Sequence, residues 1–307
     1  MSIADAFDPD DLAPRHDIPP GGRSGFLQVG ERQVHYLEWG HRGLPPVLAL
    51  HGGGQTAYMY EELGAALGDR YHVVAPDMPG HGDSDPLAPT DTFGRQALAA
   101  AIAPLLDAFG LERLVLVGAS LGGITSLTYA SGHPERVTGI VLIDVAHRLE
   151  EKGVRRIMEM MTAHESFGSL EEAATEIRQY LPHRKNVRVQ SLSRNLRQRA
   201  DGRWVWKHRA GQRWREREAA TAEPVDASVI LAGLEEDAAG LRCPVLVLRG
   251  AASDVLSSQS AEELVDLIPD ARLAVVERAG HLAAGDNPRS TIALVSAFLD
   301  EVTPSSE

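Results

Sequence analysis

Cysteine is almost absent from this chain: Cys243 stands alone among 307 residues. A single thiol excludes an internal disulfide and any C-x-x-C zinc framework. Long apolar runs are missing too, since none approaches the ~18 residues of a membrane span. The first 22 residues carry Asp5, Asp8, Asp10, Asp11 and four prolines. They lack the basic start and apolar run of a secretory signal, so the cytoplasm is the default expectation. No internal repeat and no low-complexity tract is present. Basic charge is in deficit, with 30 Lys and Arg against 43 Asp and Glu and a net charge of −13, which argues against general nucleic-acid binding.

What remains is an ordinary globular composition, 43% hydrophobic and 24% charged. A chain this long buries roughly three quarters of its unfolded surface and needs no staples. Apolar runs rich in Val, Leu and Ile recur at Pro46 to Leu50, His72 to Ala75, Leu114 to Val117, Val137 to Ile143, Pro244 to Leu248 and Leu273 to Val276. Helical patterns separate them at Tyr58 to Leu67, Phe93 to Phe109, Leu121 to Ala130, Ala261 to Leu267 and Arg289 to Asp300. A strand pair opens the pattern, Gly25 to Val29 and Val34 to Trp39. Such alternation predicts βα units and a mostly parallel sheet covered on both faces. Between residues 145 and 240 it lapses into charged, helical patterning. The expected organisation is an irregular extension over 1–24, a core formed by 25–144 and 241–302, and an inserted helical cap over 145–240.

In an open parallel sheet, ligands bind at the carboxyl ends of the strands, and five unusual loops follow strand ends. The most informative is Gly118-Ala119-Ser120-Leu121-Gly122. A serine in G-x-S-x-G between a strand and a helix has the form of a nucleophile elbow, where flanking glycines let the backbone take a strained turn. Serine needs a base, and His281, in Ala279-Gly280-His281 after the last strand, is the candidate. A carboxylate must fix the histidine tautomer. Asp254, shortly after the Pro244 to Leu248 strand, is the first choice. Asp144, at the end of the preceding strand, is the rival, because the order Ser, acid, His admits both. An oxyanion needs N–H donors: Leu121, directly after the serine, and Gly53 of His51-Gly52-Gly53-Gly54, with Gly54 next. No G-K-[ST] or G-x-G-x-x-G follows this glycine loop, which argues against a nucleotide site. His51 reads as a loop-ordering ring, and Asp77 to Ser84 as a turn fixed by Asp and Ser hydrogen bonds.

Together, HGGG at 51–54, DMPGHGDSD at 77–85, GASLGG at 118–123, Asp254 and Gly280-His281 resemble the α/β-hydrolase fold superfamily over residues 25 to 302. The resemblance implies a central, mostly parallel eight-stranded sheet with helices on both faces and a helical cap inserted after the sixth strand. Ser120 in place of an aspartate departs from the epoxide-hydrolase and haloalkane-dehalogenase branches. Serine members are similar to carboxylesterases, lactonases, carbon–carbon bond hydrolases and cofactor-free perhydrolases, so a serine hydrolase acting on a small ester or lactone is expected. No metal or organic cofactor and no nucleic-acid or membrane partner is implied. A non-catalytic ligand sensor is the alternative from another class.

Substrate choice is expected to lie in the cap, where Trp204, Trp206 and Trp214 sit beside Arg203, Lys207, Arg213 and Arg215. Each aromatic fits cap core at least as well as substrate contact. Residues 178–217 hold 13 Lys and Arg against Asp201 and Glu216. The whole 145–240 segment carries 17 basic and 15 acidic residues, so the basic run reads as a solvated surface paired with acids rather than an anion site.

Overall fold

A computed structural model describes residues 19–87, 94–180, 189–208 and 228–303. In chain order its strands are β1 (Gly22–Val29), β2 (Arg32–Trp39), β3 (Pro46–Leu50), β4 (His72–Pro76), β5 (Leu114–Ala119), β6 (Val137–Ile143), β7 (Leu196–Gln198), β8 (Trp204–Trp206), β9 (Val245–Gly250) and β10 (Ala271–Val276). Eight of them form one sheet in the order β1-β2-β4-β3-β5-β6-β9-β10. Only β2 runs antiparallel to its neighbours; the pairs from β4 through β10 are parallel.

The apolar runs become strands because both of their faces are buried. Leu48, Leu50, Leu114, Leu116, Ile140, Leu142, Val245 and Val247 feed one core layer. The alternate residues Val47, Ala49, Val115, Val117, Val141, Ile143, Leu246 and Leu248 feed the other. This period of two is what a pleated strand imposes. Helices cover both layers. They are α1 (Glu61–Leu67), α2 (Arg95–Ala100), α3 (Ile102–Phe109), α4 (Leu121–Gly132), α5 (Glu151–Thr162), α6 (Leu170–Tyr180), α7 (Ser228–Leu231), α8 (Leu234–Ala239), α9 (Ser258–Leu267), α10 (Ala283–Asp286) and α11 (Pro288–Val302). The single helix expected to end at Phe109 is divided at Ala101, because Pro104 has no N–H for the carbonyl of Ala100. Gly110, at φ 69°, ends α3 as a left-handed cap.

The segment inserted between β6 and β9 divides in its packing. Phe167, Ala173, Ala174, Ile177, Leu192 and Leu196 form a separate small core. Leu234 and Ala238, at the far end, pack instead into the main core, and Arg95 reaches across to the Ala232 carbonyl and pairs with Asp237. The β7–β8 hairpin is a strand pair where only helical patterning was expected. No helix among the described residues is long and apolar enough to cross a membrane.

Candidate active site

Among the described residues, three non-glycine positions have positive φ: Ser120 (47°), Asp144 (52°) and Arg278 (56°). They follow β5, β6 and β10 and head the loops that present Ser120, Asp144 and His281. Backbone strain of this kind persists only where the surroundings hold it, and it clusters at functional sites.

Ser120 turns the chain from β5 into α4, with ψ −115°. A side chain on Gly122 would collide with the Leu50 carbonyl, and one on Gly118 would lie 2.5 Å from the Gly122 carbonyl oxygen. Only glycine fits either flank. The Ser120 N–H donates to the Ile143 carbonyl at 3.1 Å, which sets the serine beside the residue that follows β6.

That residue is Asp144, and it meets the histidine. His281 Nδ1 lies 2.8 Å from Asp144 Oδ2. The same carboxylate accepts the Gly250 N–H at 2.8 Å and the Ser253 hydroxyl at 2.5 Å, and its side chain is fully buried. The expectation that Asp254 would face His281 is therefore corrected. Asp254 lies four residues beyond the end of β9, its side chain 39% exposed, and Arg156 of α5 takes its carboxylate, donating from Nη2 at 2.7 Å. The left-handed turn at Asp144, which aspartate tolerates better than most residues, carries its carboxylate onto the end of β9 and to the histidine.

Gly53 and Leu121 are also brought together: a Cβ on Gly53 would sit 3.9 Å from Leu121 Cδ2. Among the described residues neither N–H has a protein partner, Leu121 being the first residue of α4. The Gly52 N–H is taken by Gln55 at 3.2 Å. Gly54, at φ 76°, lies beneath Met161. His51 holds the loop. Its Nδ1 donates to the Gly52 carbonyl at 2.8 Å, and its Nε2 accepts the Met78 N–H at 2.9 Å. Both nitrogens are used in the neutral form, and burial pushes its pKa down.

A family model for the alpha/beta hydrolase fold matches residues 45–288. The chain belongs to the α/β-hydrolase family. It is a hydrolase. It is similar to Esterase Rv0045c of Mycobacterium tuberculosis, 30% identical over 294 residues, covering 91% of this chain and 92% of that protein. A solved structure of that esterase superposes with a TM-score of 0.70 at 29% identity, covering 92% and 93%. An alpha/beta hydrolase from Novosphingobium aromaticivorans gives a TM-score of 0.75 at 27% identity, covering 91% and 98%. The 2-hydroxy-6-oxo-6-phenylhexa-2,4-dienoate hydrolase of Comamonas testosteroni is 34% identical over 136 residues, 41% of this chain and 46% of that protein.

In this hydrolase ion pairs fasten the inserted segment to the core. Lys207 reaches Asp83 at 3.0 Å and Arg197 reaches it at 3.3 Å, while Arg194 pairs with Glu61 and Arg156 with Asp254. Three basic residues of the run, Arg194, Arg197 and Lys207, are thus paired with core acids, and residues 181–188 and 209–217 of it lie outside the described residues. The Asp77 to Ser84 turn is the fixed structure expected. Asp77 accepts from Ala57 and Asp83 N–H groups and contacts His35 Nδ1 at 2.7 Å. Burial opposes its charge, but these partners hold its pKa below the usual carboxylate range. Its second task, receiving the inserted segment through Asp83, had no signal in the turn chemistry. His35, Asp77 and Asp83 form one group with metal-ligand geometry among the described residues. The Lys207 ammonium and the loop N–H groups already occupy those oxygens, so the group is a structural network.

Trp204 and Trp206 lie half-buried on β8, and Trp206 meets Phe167 edge-on. Trp214 lies outside the described residues. A cleft of about 1080 Å³ opens between the inserted segment and the core, where Gln55, Leu192, Asn195, Gly280 and Leu282 line it.

Proposed function

We propose that the chain is a serine hydrolase that cleaves a carboxylic ester or lactone through an acyl-enzyme, with Ser120, His281 and Asp144 as its triad. The observation that carries the reading is the buried Asp144–His281 hydrogen bond on the strand edge that bears the strained Ser120. A carboxylate on Nδ1 leaves Nε2 as the lone pair that accepts a proton. His281 takes the Ser120 proton as Oγ attacks the carbonyl, and Asp144 stabilises the imidazolium. The Gly53 and Leu121 N–H groups receive the developing oxyanion. The alcohol leaves with the proton from His281, and His281 then activates water to release the acid. Likeness to Esterase Rv0045c over most of both chains supports ester chemistry. These residues could also cleave a carbon–carbon bond, a reading supported by likeness to the dienoate hydrolase over less than half of the chain.

Ser120→Ala is expected to fold and to lose at least about a thousandfold in kcat on the best ester of a p-nitrophenyl panel. A fluorophosphonate should label the parent and not the variant. Near-normal turnover by Ser120→Ala would refute the mechanism, and product analysis with ester and diketone substrates separates the two bond types.

A further inference from the structure

Beside the oxyanion loop lies a group of side chains that neither the triad nor the cap packing uses. His208, just beyond β8, places Nε2 3.4 Å from where a Cβ on Gly54 would stand. Met161 Sδ approaches the same point at 2.5 Å, so Gly54 lets both cap residues close onto the loop. The Lys207–Asp83 pair and the Lys207 N–H on the Asn195 carbonyl at 2.8 Å seat the backbone next door. Trp206 stacks on the His208 ring at 5.3 Å, and His81 lies 6.1 Å away, between it and His51.

Among the described residues neither ring nitrogen of His208 has a hydrogen-bond partner although both are buried, and the same holds for His81 Nε2. A buried polar atom left unpaired costs about 1–3 kcal/mol, so an orphaned pair on facing rings points to a ligand. The protonation states say which kind. His81 Nδ1 lies 3.2 Å from the Pro79 carbonyl, an acceptor only, so Nδ1 carries the proton and Nε2 presents a lone pair. Neutral His208 adds one N–H and one lone pair. Burial, with the neighbouring imidazoles, lowers the pKa of His81 to about 3 and that of His208 to about 4. At neutral pH the site therefore offers one donor and two acceptors and no charge.

We propose that His208 and His81 form a substrate subsite that hydrogen-bonds a neutral donor–acceptor group, an amide or a hydroxyl, carried close to the scissile carbonyl. This deepens the ester-hydrolase reading and rests on it. Substrates lacking such a group leave the imidazoles unpaired on binding, which is how a polar site rejects an apolar analogue.

The test compares p-nitrophenyl butanoate with the 3-hydroxybutanoate and N-acetylglycinate esters. The parent should favour a polar ester by about tenfold or more in kcat/KM. His208→Phe, which keeps the stacking ring, should cut that ratio by at least about tenfold, and His208→Asn, which keeps a donor and an acceptor, should restore part of it. A ratio unchanged within twofold in His208→Phe overturns the proposal. So does a preference for mono-p-nitrophenyl succinate that His208→Phe abolishes, because the site would then read an anion. Calorimetry in the Ser120→Ala background gives a reading without turnover. N-acetylglycine methyl ester should bind more tightly than methyl butanoate, and His208→Phe should remove the difference. If no ester is hydrolysed, the ester reading fails, and this binding comparison alone upholds or overturns the subsite.

Discussion

Asp144 accepts hydrogen bonds from three separate segments: the end of β9, the Ser253 loop and His281. Such a carboxylate is fixed in place and cannot be replaced by one nearby that a guanidinium already holds. Asp144→Asn is expected to lower kcat by roughly 10³–10⁴-fold, by loss of the charge facing the imidazolium and of the correct tautomer. Asp254→Asn should stay within about threefold in kcat and lose at most about 1 kcal/mol, the worth of a partly exposed pair. Steady-state kinetics on the two variants tests the assignment, and the reverse ranking would return the role to Asp254. At this scale the gathering of Ser120, Gly53, Leu121 and His281 at one sheet edge was legible, because strained turns and close backbone contacts demand particular residues. The choice between two aspartates was not legible. It depends on a single φ angle and on which side chain a distant arginine holds, and neither leaves a trace in residue order.

Elements buried on both faces declared themselves most clearly. A strand such as Leu114–Ala119, covered on both sides, must be apolar at every position, and its run stands out. The β7–β8 hairpin did not, since its strands are three residues long, and Arg197 and the adjacent Lys207 are taken up by Asp83 of the core. Its one signal was Asp201-Gly202, a turn pair with Gly202 at φ 82°. The hairpin is held down by few contacts, of which Lys207–Asp83 is the most enclosed, the lysine side chain being 9% exposed. Removing Lys207 leaves Asp83 to the more exposed Arg197 and takes away the more enclosed of the two pairs. Lys207→Met is therefore expected to raise amide exchange across 196–206 by tenfold or more while the amides of β5 and β6 stay protected. Unchanged exchange in the hairpin would mean that Arg197 alone suffices.

For the molecule as a whole, buried neutral histidines set the response to acid. His51, His81 and His208 all have pKa values lowered by burial, to about 3 for His81 and about 4 for His208. The unfolded chain binds these protons near pH 6.5. Between there and pH 4 the unfolded state holds more protons, so stability rises with pH and is lost on acidification. His208→Phe should flatten this dependence by roughly 1 kcal/mol per pH unit between pH 6 and 4.5, read by urea denaturation. Equal slopes in parent and variant would show that His208 protonates freely in the folded state. The position of Asp144 after β6 also has a consequence for docking of the inserted segment. The turn after β9 meets His281 only through Asp144, and Asp254 within it forms a socket: Gly153 packs against the Asp254 carbonyl and Arg156 grips its side chain. Substitutions at Asp254 or Arg156 therefore change how the inserted segment docks, while Gly250 and Ser253 of the same turn keep Asp144 in place.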